Sequence, residues 1–98
     1  MKYISKKFFI DNFSAEKLAK KYSTPLYCYS YNELEKNIKK FKKSFKSINP
    51  LICFSVKSNS NKKILNEIGK LGLGADVVSM GELMKAVKSG IKPSKIVF

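Results

Sequence analysis

A lysine at the end of an apolar run is the strongest candidate for chemistry in this sequence. Residues 51–61 read L-I-C-F-S-V-K-S-N-S-N, which places Lys57 directly after a segment of strand length. An amine held near apolar groups loses hydration, and this favours its neutral, nucleophilic form, which condenses with carbonyl compounds. The alternative is a side chain that extends past the strand end into water. Position alone favours that alternative, because the chain has twenty basic residues and all of them are lysine.

Hydrophobic patterning predicts an alternation of strands and helices around Lys57. Strands are predicted at 8–10, 26–29, 51–56, 75–78 and from 95 onward. Helices are predicted at 15–22 after Ser14, at 30–48 before Asn49-Pro50, from Asn59 or Asn61 to 71, and from Ser79 to Gly90. Ser30 with Glu33, and Ser79 with Glu82, have the spacing of a capping box.

Two of the predicted helices have an apolar face that should pack on a sheet. The second helix carries a stripe at steps of four and three, formed by Leu34, Ile38, Phe41, Phe45 and Ile48. The last helix is expected to bury Leu83, Ala86 and Val87. A lysine-rich amphipathic helix could also lie on an anionic membrane. The flanking apolar strands favour packing on a sheet instead.

Alternating strands and helices predict right-handed βαβ units and a parallel sheet. The residues alone allow either a doubly wound sheet or a (β/α)₈ barrel. In both folds ligands bind at the carboxyl ends of the strands, where Lys57, Asp76 and Ser79 should lie. No glycine-rich phosphate fingerprint follows the first strand, which weakens a dinucleotide-binding interpretation.

Composition argues against several other classes of protein. The net charge is +13, yet the absence of arginine removes the guanidinium fork on which sequence-specific nucleic-acid recognition relies. With two cysteines and no histidine a metal site is improbable, and Cys28 and Cys53 are expected to be buried free thiols. The sequence has no signal peptide and no apolar run of membrane-spanning length. We therefore expect a cytoplasmic protein with no membrane partner.

Four stretches resemble the diaminopimelate decarboxylase family. Residues 19–30, A-K-K-Y-S-T-P-L-Y-C-Y-S, resemble its A-x-x-Y-G-T-P-L-Y-V-Y opening, and residues 54–59, F-S-V-K-S-N, resemble Y-A-V-K-A-N. Residues 74–83, G-A-D-V-V-S-M-G-E-L, are similar to G-A-D-V-V-S-x-G-E-L, and residues 90–98 match the stretch that leads into the next barrel strand. Ser23 replaces a glycine, and Ser55 and Ser58 replace two alanines.

The resemblance implies a fold, a cofactor and two site residues. The fold would be the N-terminal part of a (β/α)₈ barrel, with residues 1–25 forming a strand and short helix and residues 26–98 ending within the fourth barrel strand. Lys57 would bind pyridoxal 5'-phosphate as an internal aldimine. Asp76 would lie on the cofactor side, where its charge could keep that imine protonated or orient Lys57. Equally, Asp76 could be only a hydrogen-bonded carboxylate at a strand end.

The resemblance also implies a reaction, the decarboxylation of meso-2,6-diaminopimelate to L-lysine and CO₂ by a homodimeric enzyme. Decarboxylases of ornithine, arginine or carboxynorspermidine are alternatives, as are a racemase or a non-catalytic pyridoxal-phosphate carrier of the same fold, and less plausibly a basic nucleic-acid-binding module. A complete barrel needs about 250 residues. We therefore expect these 98 residues to be inactive alone and marginally stable, with an aggregation-prone edge at 95–98.

Overall fold

The computed structural model describes residues 1–98 as two compact units. The first unit comprises Met1–Phe41 and the second Lys42–Phe98. Each unit has its own three-stranded sheet, antiparallel in the first and parallel in the second. The predicted α/β class is therefore confirmed for the second unit, which contains Lys57 and Asp76. None of the helices combines the length and apolar character needed to cross a bilayer.

The first unit opens with an antiparallel meander rather than the single strand predicted at 8–10. Its strands are β1 (Lys2–Ile4), β2 (Lys7–Ile10) and β3 (Phe13–Ser14). Ser5 and Lys6 link β1 to β2 with φ of 47° and 62°, and two positive φ values match the twist of a tight hairpin. Such a turn usually contains glycine or asparagine, so the Ser-Lys pair gave no hairpin signal.

Helix α1 covers Ala15–Tyr22, as predicted, and Ser14 is its N-cap. The Lys17 amide donates to Ser14 Oγ over 3.5 Å. The strand predicted at 26–29 is wrong, because this segment is irregular and pairs with no other strand. Its two tyrosines and apolar neighbours suit a strand, but a strand also needs a neighbour that completes its hydrogen bonds.

Helix α2 (Tyr31–Ser44) begins where predicted but ends earlier. Ser30 Oγ accepts from the Glu33 amide at 3.0 Å and donates to Asp11 Oδ1 at 2.5 Å. Beyond residue 44 the backbone tightens into turns, with Phe45 N donating to the Lys42 carbonyl, and it does not continue to residue 48. The prediction that the whole apolar stripe packs on a sheet is wrong for its C-terminal part. The exposed residues of this part are Phe41, Phe45 and Ile48.

The second unit contains the predicted parallel sheet, with strand order β4-β5-β6. Its strands are β4 (Cys53–Ser55), β5 (Gly74–Asp76) and β6 (Ile96–Val97). The 3₁₀ turn Val56–Ser58 takes the last residue of the strand predicted at 51–56, and the 3₁₀ turn Pro93–Lys95 takes the first residue of the strand predicted from 95 onward. The register pairs Ser55 with Asp76, and Asp76 with Val97.

Helices α3 (Lys62–Lys70) and α4 (Met80–Lys88) connect these strands. Asn61 caps α3, since its Oδ1 accepts from the Lys63 amide at 2.9 Å, and this decides between the two predicted caps. Ser79 Oγ caps α4 by accepting from the Glu82 amide at 3.2 Å. The Glu82 carboxylate in turn accepts from the Val78 amide, at 2.9 Å. Gly90, with φ of 87°, ends α4 as predicted.

The core of the second unit lies on one face of the parallel sheet. Its fully buried apolar residues include Val56, Leu65, Ile68, Ala75, Val77, Ala86 and Ile91. The prediction for α4 is right for Ala86, but Leu83 is only half-buried and Val87 is 39% exposed. Both cysteines are free, but they are only half-buried rather than buried.

Candidate functional site

The candidate site lies at the carboxyl edge of the parallel sheet. Lys57 is in the 3₁₀ turn that directly follows β4, and Asp76 is the last residue of β5. Because β4 and β5 are parallel neighbours, these residues occupy the same edge of the sheet. Ligands bind at this edge in parallel α/β folds. Both residues therefore lie at the carboxyl edge, where the sequence predicts them.

Small and polar residues share the sheet face that carries Asp76. Register pairs Cys53 with Gly74 and Ser55 with Asp76, and side chains of one strand alternate between faces. These four residues therefore lie on one face, whereas Ala75 and Val77 are fully buried on the other. The half-buried Asp76 accordingly stands on the face that the apolar core leaves uncovered.

The structure brings Asp76 together with Ser55. Ser55 Oγ donates to Asp76 Oδ2 over 3.2 Å, between directly paired residues of β4 and β5. The sequence shows Ser55 only as a replacement of an alanine and does not predict this contact. The available signal was the alternation of β4, which places residues 53 and 55 on one face. Asp76 thus has the hydrogen bond expected of a strand-end carboxylate, and its role toward a cofactor stays a prediction.

A short hydrogen-bonded turn carries Lys57. The Asn59 amide donates to the Val56 carbonyl at 3.1 Å, and Ser58 Oγ donates to the Ser55 carbonyl at 2.7 Å. The Lys57 side chain is exposed, and no hydrogen bond or ion pair holds its amine. The apolar surroundings expected for this amine are not provided by these 98 residues. Its role as a covalent site stays a prediction.

The donor set of this edge fits an aldehyde cofactor. Such a cofactor needs an accessible primary amine, which Lys57 offers on a backbone turn fixed by two hydrogen bonds. An acidic group that lies close to a protonated nitrogen stabilises its charge, and Asp76 presents a carboxylate from the adjacent strand. No ion pair joins Lys57 and Asp76 in this chain.

The other polar residues near this edge act as helix caps. Ser79 and Glu82 hold the first turn of α4, and Asn61 holds that of α3. Asn59 Oδ1 accepts from the Asn61 amide at 3.0 Å, so it supports the cap. The structure agrees with the prediction that helix capping explains these residues. The Lys57 amine, in contrast, has no hydrogen-bond or ion-pair partner at this edge.

Burial raises the pKa of the Cys53 thiol, and the nearby Asp76 carboxylate raises it further. We expect Asp76→Asn to lower the pKa of Cys53 and to speed alkylation of this thiol at neutral pH, because the thiolate is the reactive form. The rate of modification at Cys53, followed by peptide mass spectrometry over a pH series, measures the shift. Glu67→Gln, which removes a carboxylate from α3, should leave the profile unchanged. An unchanged profile in Asp76→Asn would place the carboxylate away from this face.

Comparison with known proteins shows one consistent family. Residues 31–98 match the family model described as "Pyridoxal-dependent decarboxylase, pyridoxal binding domain". This match includes both candidate residues and the whole parallel sheet. It covers more than half of the chain.

Curated relatives with this similarity are diaminopimelate decarboxylases. The Helicobacter pylori (strain J99) enzyme is 45% identical over 86 residues, which are 88% of this chain and 21% of the relative. The Aquifex aeolicus enzyme is 41% identical over all 98 residues and 23% of its own length. The Vibrio cholerae enzyme is 48% identical over 83% of this chain. The chain thus spans about a fifth of the length of the curated relatives it matches.

Solved structures give the same result. Diaminopimelate decarboxylase from M. jannaschii superposes with a TM-score of 0.95 at 37% identity, over 99% of this chain and 24% of that chain. The enzyme from Helicobacter pylori, solved in complex with L-lysine, superposes with a TM-score of 0.80 at 42% identity. That match covers 85% of this chain and 21% of the neighbour.

Proposed function

Because this chain belongs to the pyridoxal-dependent decarboxylase family, we propose that it is the N-terminal part of an enzyme that decarboxylates meso-2,6-diaminopimelate to L-lysine and CO₂. One structural observation carries the proposal. Lys57 follows β4 on a fixed turn, and Asp76 ends the neighbouring β5 on the face that the apolar core leaves open. A primary amine and a carboxylate at the same edge of the sheet suit the covalent binding of an aldehyde cofactor.

The proposed architecture is a (β/α)₈ barrel that the rest of a longer protein completes. Residues 26–98 would supply its first part and residues 1–25 a preceding segment, and the match over 31–98 supports this division. The three parallel strands and their connecting helices are typical of such a barrel. In a closed barrel the face carrying Ser55 and Asp76 would point inward, where further strands would shield it from water.

Lys57 would hold pyridoxal 5'-phosphate through its side-chain amine. The bound cofactor would supply the electron sink that makes loss of CO₂ from an amino acid feasible. Asp76 would favour the protonated state of the nitrogen at Lys57 Nζ by placing a negative charge near it. The turn at Val56–Ser58 would fix the backbone from which the Lys57 side chain extends, since it is hydrogen-bonded at both ends.

Diaminopimelate is the proposed substrate because the curated relatives named above are decarboxylases of that compound. The solved structures of the Helicobacter pylori and M. jannaschii enzymes include complexes with L-lysine, the expected product of the same reaction. We further propose a homodimer in the cytoplasm, where a reducing environment would keep Cys28 and Cys53 as free thiols. No sequence-specific nucleic acid and no membrane partner is proposed.

A substrate panel on the full-length protein tests this function. Release of CO₂ should be measured after loading with pyridoxal 5'-phosphate, separately with meso-diaminopimelate, ornithine, arginine and carboxynorspermidine. We expect rapid release with meso-diaminopimelate and formation of L-lysine. Faster release with another amine would assign the protein to a related decarboxylase, and inversion of an amino acid without CO₂ would assign it to a racemase. Either result would contradict the proposed substrate or reaction.

A further inference from the structure

Two serines enclose the turn that carries Lys57. Ser55 is the last residue of β4 and Ser58 the last residue of the 3₁₀ turn. Both stand where the motif Y-A-V-K-A-N has alanine. An alanine side chain has no hydroxyl to donate a hydrogen bond, whereas each serine here donates one. The two replacements therefore add specific contacts around Lys57.

The contacts form a connected path from the lysine turn to Asp76. Ser58 Oγ donates to the Ser55 carbonyl at 2.7 Å and closes the turn onto its own strand. Ser55 Oγ donates to Asp76 Oδ2 at 3.2 Å and links β4 to β5. Ser55 and Asp76 are also paired in register, so the hydroxyl and the carboxylate extend from neighbouring backbone positions of the sheet.

We propose that Ser55 is a positioning residue, which holds the Asp76 carboxylate on the open face of the sheet beside the Lys57 turn. The effect of Ser55 on the Lys57 nitrogen rests on the proposed function, whereas the hydrogen bond between Ser55 and Asp76 does not. A carboxylate has several rotamers at a strand end, and a hydrogen bond to one of its oxygens selects among them. The Asp76 charge then stays on the face of the sheet that carries Cys53, where it would also act on the nitrogen at Lys57 Nζ.

Three replacements of Ser55 distinguish the effect of its hydroxyl group from the effect of side-chain size. Ser55→Thr keeps a hydroxyl, Ser55→Val has the shape of threonine without one, and Ser55→Ala restores the residue of the motif. The matched control is Ser47→Ala, at an exposed serine without a side-chain hydrogen bond. All four variants are made in the full-length protein.

The first readout needs no cofactor. Because the Asp76 charge raises the pKa of Cys53, release of the carboxylate into solvent should lower that pKa. We expect the midpoint of the pH profile for Cys53 alkylation to fall in Ser55→Val and Ser55→Ala, and to fall less than in Asp76→Asn, which removes the charge altogether. Ser55→Thr and Ser47→Ala should match the parent protein.

The second readout is the visible absorbance of pyridoxal 5'-phosphate bound to the protein, titrated against pH. Its midpoint should fall in the same two variants, because a protonated nitrogen at Lys57 loses a fixed negative neighbour. Equal shifts in Ser55→Thr and Ser55→Val, or no shift in any variant, would overturn the positioning role. Absence of bound cofactor from the parent protein would instead overturn the proposed function, while the Cys53 readout would still decide the role of Ser55.

Discussion

Replacing Lys57 by alanine in the full-length protein should abolish covalent binding of pyridoxal 5'-phosphate and reduce decarboxylation by at least about 10²- to 10⁴-fold. The variant removes the amine that would attach the cofactor and move protons at it, and positioned proton transfer alone contributes a factor of that size. Lys57→Arg should fail as well, because a guanidinium group keeps the charge but is not a nucleophilic primary amine. Visible absorbance of the purified protein and CO₂ release measure the two effects.

Lys62→Ala is the matched control for this loss. Lys62 is an exposed lysine at the start of α3, five residues further along the chain, and its side chain has no hydrogen bond or ion pair. We expect its replacement to leave cofactor binding and turnover unchanged. Retention of covalently bound cofactor in Lys57→Ala, with the same absorbance as the parent protein, would show that another lysine performs this role.

Gly74→Ala should destabilise the folded protein by about 3 kcal/mol or more, at the upper end of the cost of overpacking. A Cβ at this position would lie far inside van der Waals contact of the Lys95 carbonyl oxygen and 2.9 Å from Cys53 Sγ. The carbonyl belongs to the backbone that leads into β6, so it cannot retreat without disturbing the β5–β6 pairing. Denaturant unfolding of the full-length protein measures the loss.

Gly81→Ala provides the comparison within the same sheet-and-helix unit. Its Cβ would meet only Ser79 Oγ, at the ordinary contact distance of 3.8 Å, inside α4. Alanine favours a helix over glycine by up to about 1 kcal/mol, so this variant should be neutral or slightly stabilising. If Gly74→Ala were as stable as Gly81→Ala, the close approach of β5 to the Lys95 carbonyl would be contradicted.

The parallel sheet of the second unit could be predicted from sequence because local signals agree there with the tertiary structure. Apolar runs mark β4 and β5, and capping residues mark the starts of α3 and α4. Gly90, at positive φ, ends α4 where the sequence predicted a stop. The exact strand lengths were not predictable, since the 3₁₀ turn at Val56–Ser58 interrupts an otherwise continuous apolar run.

The first unit shows where local patterns fail. Residues 26–29 have a strand-like composition, but they pair with no other strand. A segment forms a strand only where a neighbouring strand is available to pair with it, and its own composition does not specify that neighbour. The β1–β2 hairpin was missed because Ser5 and Lys6 adopt positive φ without glycine. The apolar stripe of α2 correctly predicted a helix, yet Phe41 and Ile48 are exposed, because periodicity does not specify what covers a face.

For the candidate site, sequence identified the residues at the carboxyl edge but not their contacts. Lys57 and Asp76 follow from strand ends and from the resemblance, and both lie on that edge. The Ser55–Asp76 hydrogen bond depends on the register of two strands that are about twenty residues apart, which no local pattern specifies. The exposure of Lys57 likewise depends on which elements cover the edge.

The most direct test of the central proposal is to locate the covalent attachment of the cofactor. The full-length protein, loaded with pyridoxal 5'-phosphate, is reduced with borohydride, digested and mapped by mass spectrometry. We predict one pyridoxyl-modified peptide, with the modification on Lys57 among the twenty lysines of this segment. Modification at a different lysine, or no stable modification in a protein that otherwise folds, would contradict the assignment of Lys57 as the residue that holds the cofactor.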